Sequence, residues 1–405
     1  MAETDRSQTL RGGVVVAVAM GLMNVSTYAY TILAARALGP VEYGAFAAMM
    51  GLVIVVNVVS LGLQATAARR VAADPTHRPV VEAALTVTAR RAALALAALC
   101  LVVSPVLAWL LHLDSWLTAA ALAVPAAAYA VMGADIGLLQ GEGRWSAFSG
   151  VVLSLGLARL GFGVLGLAAW PHPLGAMLGV AAGSLVPAAL ARVAVRRSSA
   201  PAGTSVAPDA GVLRETASSS HALFAFFALT SLDVLLGRAV LPAHQAGLYA
   251  AGIIVTKAVL FLPYFLTVVA FPAMARRGAH RHLHLWGLAG VLAIGAVVVL
   301  GVAALPHLAV EFVGGGAYAA VAGRLWAFAA LGSVLAGIQL LVYSALARRH
   351  PGAVWYLWGA LALIAAGMLL VSTATGLLVL VLCVDSVLLV ALTLATRADV
   401  VDHLE

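Results

Sequence analysis

The sequence predicts an all-α polytopic membrane protein with about twelve transmembrane helices, arranged as two parallel six-helix lobes around a central cavity. Three observations lead there: composition, a repeated joint and the distribution of arginine. Hydrophobic residues make up 63% of the 405 residues and charged residues only 10%, against roughly 25% charged in soluble domains. The joint occurs twice. Arg36-Ala-Leu-Gly-Pro40-Val-Glu-Tyr-Gly44-Ala-Phe46-Ala-Ala and Arg238-Ala-Val-Leu-Pro242-Ala-His-Gln-Ala-Gly247-Leu-Tyr249-Ala-Ala share the order Arg, Pro, Gly-x-aromatic-Ala-Ala, and each connects two long apolar segments. Duplicated joints of this kind mark membrane proteins built from two related halves, a construction common among transporters.

A spanning helix needs about 20 predominantly apolar residues. Such runs lie near 12–35, 44–68, 92–111, 115–140, 145–170, 173–191, 222–240, 246–275, 285–305, 325–347, 354–371 and 376–396. The last two are separated only by Ser372-Thr373-Ala374-Thr375-Gly376, and fusing them would leave eleven. Six spans precede the second joint and six follow it, so both halves enter the membrane from the same side and repeat in parallel. The expected division is a first lobe over 1–195, a polar linker over 196–220 rich in Ser, Pro and Ala, and a second lobe over 221–405.

Arginine tests this map independently of hydropathy, because cytoplasmic loops gather Lys and Arg. With the N-terminus inside, eighteen arginines from Arg6 to Arg397 fall in cytoplasmic segments and three, Arg36, Arg238 and Arg324, fall outside. Both termini are then cytoplasmic in a multi-pass membrane protein. The net charge of +7 reflects this topology and contact with anionic lipid headgroups, and implies no nucleic-acid partner. The acidic start, Ala2-Glu-Thr-Asp, with a long apolar run behind it, does not read as a secretory signal. Cys100 and Cys383 both fall in apolar spans and read as small buried hydrophobes, with no disulfide or metal set.

The first two spans, with Leu38-Gly-Pro-Val-Glu-Tyr-Gly-Ala-Phe between them and Leu61-Gly-Leu-Gln-Ala-Thr-Ala-Ala-Arg-Arg-Val-Ala after, resemble the start of bacterial polysaccharide flippases of the Wzx type. These belong to the multidrug/oligosaccharidyl-lipid/polysaccharide exporter superfamily. Ser231-Leu-Asp233-Val-Leu-Leu-Gly237-Arg238, Ala246-Gly-Leu-Tyr249-Ala-Ala and Phe271-Pro272-Ala-Met-Ala-Arg are similar to its seventh and eighth spans. The resemblance implies export of a lipid-linked glycan from the inner to the outer leaflet by rocking of two lobes. It also implies coupling to a proton or sodium gradient.

A polyprenyl-pyrophosphate sugar carries anionic phosphates through a medium where unpaired charge is expensive, so its path should present cations. Five ionisable groups fall inside spans: Asp135, Arg159, Asp233, Lys257 and Asp385. Counting about 1.5 Å per residue from the loop edges, Arg159, Lys257 and Asp385 share a mid-membrane layer, with Asp135 nearer the inside and Asp233 nearer the outside. Arg159 is the strongest candidate for the pyrophosphate, since a guanidinium binds phosphate oxygens bidentately. Its alternative is an Arg capped by backbone carbonyls or snorkelling. Lys257 is a second substrate cation, or else pairs with Asp385.

Asp385, Asp233 and Asp135 are candidates for ion coupling, in which a bound proton or sodium ion biases the lobes between two states. Asp233 could instead pair with Lys257 or anchor its helix end. Arg36 and Arg238, at matching places in the two repeats, could contact anionic substrate at the outer mouth, or meet headgroups and cap helix ends. Pro263, deep in the eighth span, is the candidate hinge or a static kink. Asn24, Asn57, Gln64, Gln140 and Gln339 read as hydrogen-bonding glue between helices before sugar ligands.

No Walker motif, His-Glu-x-x-His or Cys/His spacing is present, and no long outer loop offers a glycosyltransferase site. The reading is a cofactor-free, non-enzymatic transporter that acts as a monomer. The alternatives are an ion-coupled drug or metabolite exporter of the same superfamily and, more remotely, a non-transporting scaffold for envelope assembly.

Overall fold

A computed structural model describes the backbone of residues 2–74, 76, 78–197, 210–274, 283–347 and 353–402, and side chains within 12–74, 76, 78–197, 221, 223–261, 287–343 and 354–395. Every regular element among them is helical. The order is α1 (Ala2–Val56), α2 (Val58–Ala73), α3 (Arg78–Leu110), α4 (Trp116–Ala120), α5 (Ala123–Gly141), α6 (Trp145–Ala169), α7 (Pro173–Arg196), α8 (Ala210–Val240), α9 (Ala243–Met274), α10 (Leu283–Ala304), α11 (Pro306–Val313), a 3-10 helix (Gly316–Arg324), α12 (Leu325–Ala347), α13 (Ala353–Gly367), a short 3-10 turn (Met368–Leu370) and α14 (Ala374–Asp402). Among the described residues, ten segments are long and apolar enough to cross a membrane, and Val354–Leu370 is a shorter apolar helix. The first segment, Gly12–Ala73, contains two expected spans, which brings the total to the twelve expected. The last apolar stretch is two helices, α13 and α14, broken at the polar residues after Val371.

The first joint is a kink and not a loop. Gly39 leaves helical geometry at φ 68°, ψ 173°, a backbone region open to Gly at no steric cost. Pro40 then opens the next helical stretch, where its missing N–H is not needed. A second interruption at Asn57 separates α1 from α2. Between the halves, α8 begins at Ala210, inside the predicted linker, because no proline follows Pro208 until Pro242. Residues 198–209 lie outside the described residues. Between the ninth and tenth spans, where a loop was expected, the chain folds into α11 and the 3-10 helix.

The chain divides into two compact units, 1–34 with 52–223 and 35–51 with 224–405. In the first unit, glycines let backbones touch. Gly133, Gly137 and Gly141 of α5 recur every fourth residue, and a Cβ at each would strike Ser60, Gln64 or Ala68 of α2. Gly175, Gly179 and Gly183 of α7 do the same against α6. Small residues at this spacing drive close helix packing where no hydrophobic force operates between helices. Arg78, Glu82, Glu142 and Arg144 form an ionic network that ties the start of α3 to the α5–α6 turn, and Arg144 also donates to the Ala194 carbonyl of α7 at 3.0 Å.

In the second unit, residues 35–51 are held along their length. The Tyr318 hydroxyl donates to the Ala35 carbonyl at 2.8 Å. Arg36 donates to the Glu311 backbone carbonyl at 2.8 Å and pairs with its carboxylate at 3.3 Å. Arg238 donates to the Val41 carbonyl at 3.2 Å. Gly44 and Gly247, the glycines of the two repeated joints, meet backbone to backbone, and a Cβ on Gly247 would overlap the Pro40 carbonyl.

Lipid-facing surfaces are apolar. Only 17% of the Gly287–Ala304 window of α10 is buried, at a mean hydropathy of 2.5. Trp109, Trp116 and Trp170, all at helix ends, are exposed, as expected of aromatic anchors at a membrane interface. Cys100 is buried, but Cys383 is exposed on α14, so the expectation of two buried cysteines holds for one. A thiol is apolar enough to face hydrocarbon.

Candidate functional site

In the first unit, Arg159 lies half-buried on α6. Its Nη2 donates to the Tyr129 hydroxyl of α5 at 2.9 Å, and its buried Nε has no acceptor. Tyr30 of α1 is within electrostatic reach of the guanidinium, and the Tyr30 hydroxyl donates to the Ala176 carbonyl of α7 at 3.0 Å. Gly163, one turn from Arg159 on α6, leaves the room that the Tyr30 ring fills. Among the described residues no carboxylate pairs with Arg159, which leaves a cation set among phenols with donor capacity unspent.

Asp135 belongs elsewhere. It is fully buried on α5, with Oδ1 3.2 Å from Nη2 of Arg192 on α7. Arg90 and Arg196 add to the positive field around it. The depth count put Asp135 out of Arg159's reach, and the structure supplies Arg192, which the sequence reading had left in a loop. Gln64 and Gln140, two of the expected polar links, bond to each other at 2.9 Å between α2 and α5.

The second unit gathers the remaining acids. Asp233 of α8 is buried; its Oδ2 accepts from the Tyr249 hydroxyl of α9 at 2.7 Å, and its Oδ1 from the Val234 N–H at 2.8 Å. Lys257 of α9 is within electrostatic reach of Asp233. Asp385 of α14 is fully buried with both carboxylate oxygens lacking a hydrogen-bond partner, and interacts electrostatically with Asp233 and Tyr249.

The depth count had separated Asp233 from Lys257 and Asp385. In the structure both Lys257 and Asp385 interact electrostatically with Asp233. The expected Lys257–Asp385 ion pair is absent among the described residues, and the lysine's electrostatic partner is Asp233.

Arg36 is paired with Glu311 with half of its side chain exposed, and Arg238 is buried with a bond to the Val41 carbonyl. Pro263 lies within α9, but its side chain is outside the described residues. Asp233, Lys257 and Asp385 come together in one unit, while Arg159 stands in the other with Tyr129 and Tyr30. Sequence reasoning missed the tyrosines and Arg192. The available signal was phenols placed mid-span: a hydroxyl in hydrocarbon needs a polar partner.

No protein-family model and no curated protein matches the sequence. Solved structures do. A multidrug resistance MATE family transporter of the MOP superfamily in its inward-facing conformation aligns over 96% of this chain and 98% of its own, at 14% identity and a TM-score of 0.67. A MOP superfamily transporter from Pyrococcus furiosus, with a binding pocket described as reversed in polarity, aligns over 96% of both chains at 14% identity and TM-score 0.66. An outward-facing multidrug resistance MATE family transporter aligns over 97% of this chain and 96% of its own, at 13% identity and TM-score 0.62. The chain has the fold of the MATE transporters of the MOP superfamily.

Proposed function

We propose that the protein is a secondary transporter of the bacterial cytoplasmic membrane that flips a lipid-linked, polyprenyl-pyrophosphate oligosaccharide to the outer leaflet by alternating access. It works as a monomer, for export of a surface polysaccharide. The observation that carries this reading is Arg159: a membrane-embedded guanidinium with an unoccupied Nε and, among the described residues, no carboxylate partner is a binding group for an anion. Tyr129 and Tyr30 would hold it in place, and Lys257 would be the second cation on the path.

Asp233 and Asp385 fit the coupling role in this reading. A buried carboxylate without hydrogen bonds is costly, and a proton or sodium ion bound there and released elsewhere would tie its gradient to the cycle. The fold neighbours from multidrug transporters favour a second reading, an ion-coupled exporter of drugs or metabolites. An arginine with no carboxylate partner among the described residues sets the two apart, since it suits an anionic substrate and opposes a cationic drug.

The test is gene deletion in the host, with polyprenyl-pyrophosphate glycans measured in each leaflet. Inner-leaflet accumulation, reversed by the intact gene but not by Arg159→Ala at normal expression, supports glycan flipping. Normal glycans with altered sensitivity to small cationic drugs assign the multidrug reading. Transport by Asp233→Asn and Asp385→Asn that still collapses with the proton or sodium gradient removes the coupling role from both.

A further inference from the structure

The second unit carries a groove of about 420 Å³ between α9, α10 and α11 that the transport reading does not use. Every residue lining it is apolar. Its volume falls within the range of small-molecule sites, about 300–1,000 Å³. Val255 and Val259 of α9 and Val298 of α10 form its walls, and Leu308 and Phe312 of α11 form its rim. Lys257 points away, since on a helix residues two apart face nearly opposite sides. Gly301 also lines the groove, and a Cβ there would meet nothing within 4 Å. The space beside it is open, not a close helix contact. The groove opens along α10, the span with the least buried surface, so the medium at its mouth is lipid hydrocarbon.

The rim is different in kind. On α11, Leu308 and Phe312 lie one turn apart and share a face, and His307 and Glu311, each one residue before, share the adjoining face. Both polar residues are exposed. Glu311 holds Arg36 at 3.3 Å, with side chains 65% and 50% exposed. One end of the apolar groove therefore lies beside one exposed anion and one exposed cation. A phosphoethanolamine headgroup carries the complementary pair, an ammonium for Glu311 and a phosphate for Arg36. A diphosphate or a glycerol phosphate lacks the ammonium and meets Glu311 as a like charge.

We propose that the groove is a structural lipid site: it takes one hydrocarbon chain of a zwitterionic phosphoethanolamine phospholipid, whose headgroup is read by Glu311 and Arg36. The inference stands on the groove and its rim and does not depend on what the protein transports.

Native mass spectrometry of the purified full chain in detergent, titrated with palmitoyl-oleoyl phosphatidylethanolamine, phosphatidylglycerol of the same chains, and a polyprenyl phosphate, tests it. The phosphatidylethanolamine should bind about tenfold tighter than either other probe. Gly301→Leu, whose Cβ meets nothing within 4 Å, extends into the groove and should weaken that binding about tenfold with the unfolding temperature unchanged. Glu311→Gln should keep chain binding while bringing phosphatidylethanolamine and phosphatidylglycerol within about twofold of each other. Leu308→Asn, on a side chain 64% exposed, carries the same expectation as Gly301→Leu should that variant not fold. Undiminished binding by the folded groove variants overturns the site. Equal or tighter binding of phosphatidylglycerol overturns the headgroup assignment, and preference for the polyprenyl phosphate makes the groove a substrate-tail site instead.

Discussion

Tyr249 on α9 donates a 2.7 Å hydrogen bond to Oδ2 of Asp233 on α8, and both side chains are almost wholly shielded. The bond joins two helices at the second repeated joint. Removing it by Tyr249→Phe leaves a carboxylate oxygen unsatisfied, which costs about 1.5–3 kcal/mol for a bond to a charged group. Thermal unfolding of the purified variant should show this as a lower midpoint. Adding Asp233→Asn should recover part of the loss, giving a coupling of about 0.5–3 kcal/mol in a double-mutant cycle.

Asp135 and Arg192 should behave as a unit. Arg192→Ala strands a fully buried carboxylate and should cost about 3–5 kcal/mol, whereas Arg192→Ala combined with Asp135→Leu should cost much less. Denaturation in mild detergent separates these outcomes, and equal losses in the single and double variants would show that the 3.2 Å contact carries no weight.

Glycines of the first unit divide by what a methyl group would meet. Gly179→Ala drives a Cβ into the Phe162 backbone and should destabilise by about 1–3 kcal/mol, the usual cost of overpacking. Gly161→Ala faces open space and should leave the unfolding midpoint unchanged or slightly raised. The pair, made in parallel, measures the α6–α7 contact directly.

At the repeated joints, Gly247→Ala should be among the most damaging single methyl additions, because its Cβ overlaps the Pro40 carbonyl. Folded yield after detergent extraction, read by size-exclusion chromatography, should fall sharply. Gly316→Ala, also in the second unit but with nothing within 4 Å, serves as the control and should match wild type.

Hydropathy located the spans because the membrane enforces length and apolarity on every one of them. At Ser372–Gly376 it left one span or two open, and the structure breaks there into α13 and α14. What it could not show was continuity. The first joint looked like a loop because Gly39 and Pro40 punctuate sequences in that way, but a Gly–Pro pair also permits a helix to restart at once. Asp233, Asp385 and Lys257 were visible as rare charges in hydrocarbon, yet their mutual placement depends on which helices pack together. The partners Tyr249, Tyr129 and Arg192 were missed for the same reason. The stripes Gly133–Gly137–Gly141 and Gly175–Gly179–Gly183 were legible as spacing and name the close helix pairs that composition alone does not.

The strap of residues 35–51 has a consequence for the order in which the protein is made. Ala35 and Tyr318 are 283 positions apart, and Arg36 and Glu311 are 275 apart, so the earlier segment waits for partners that leave the ribosome much later. At synthesis rates of about 5–20 residues per second the delay is about 15–60 s. During it the Ala35 and Val41 carbonyls lack their final donors. Assembly of the second unit therefore closes late, over a long sequence separation of the kind that slows folding, and a chain truncated before Glu311 would leave its own N-terminal region unfinished.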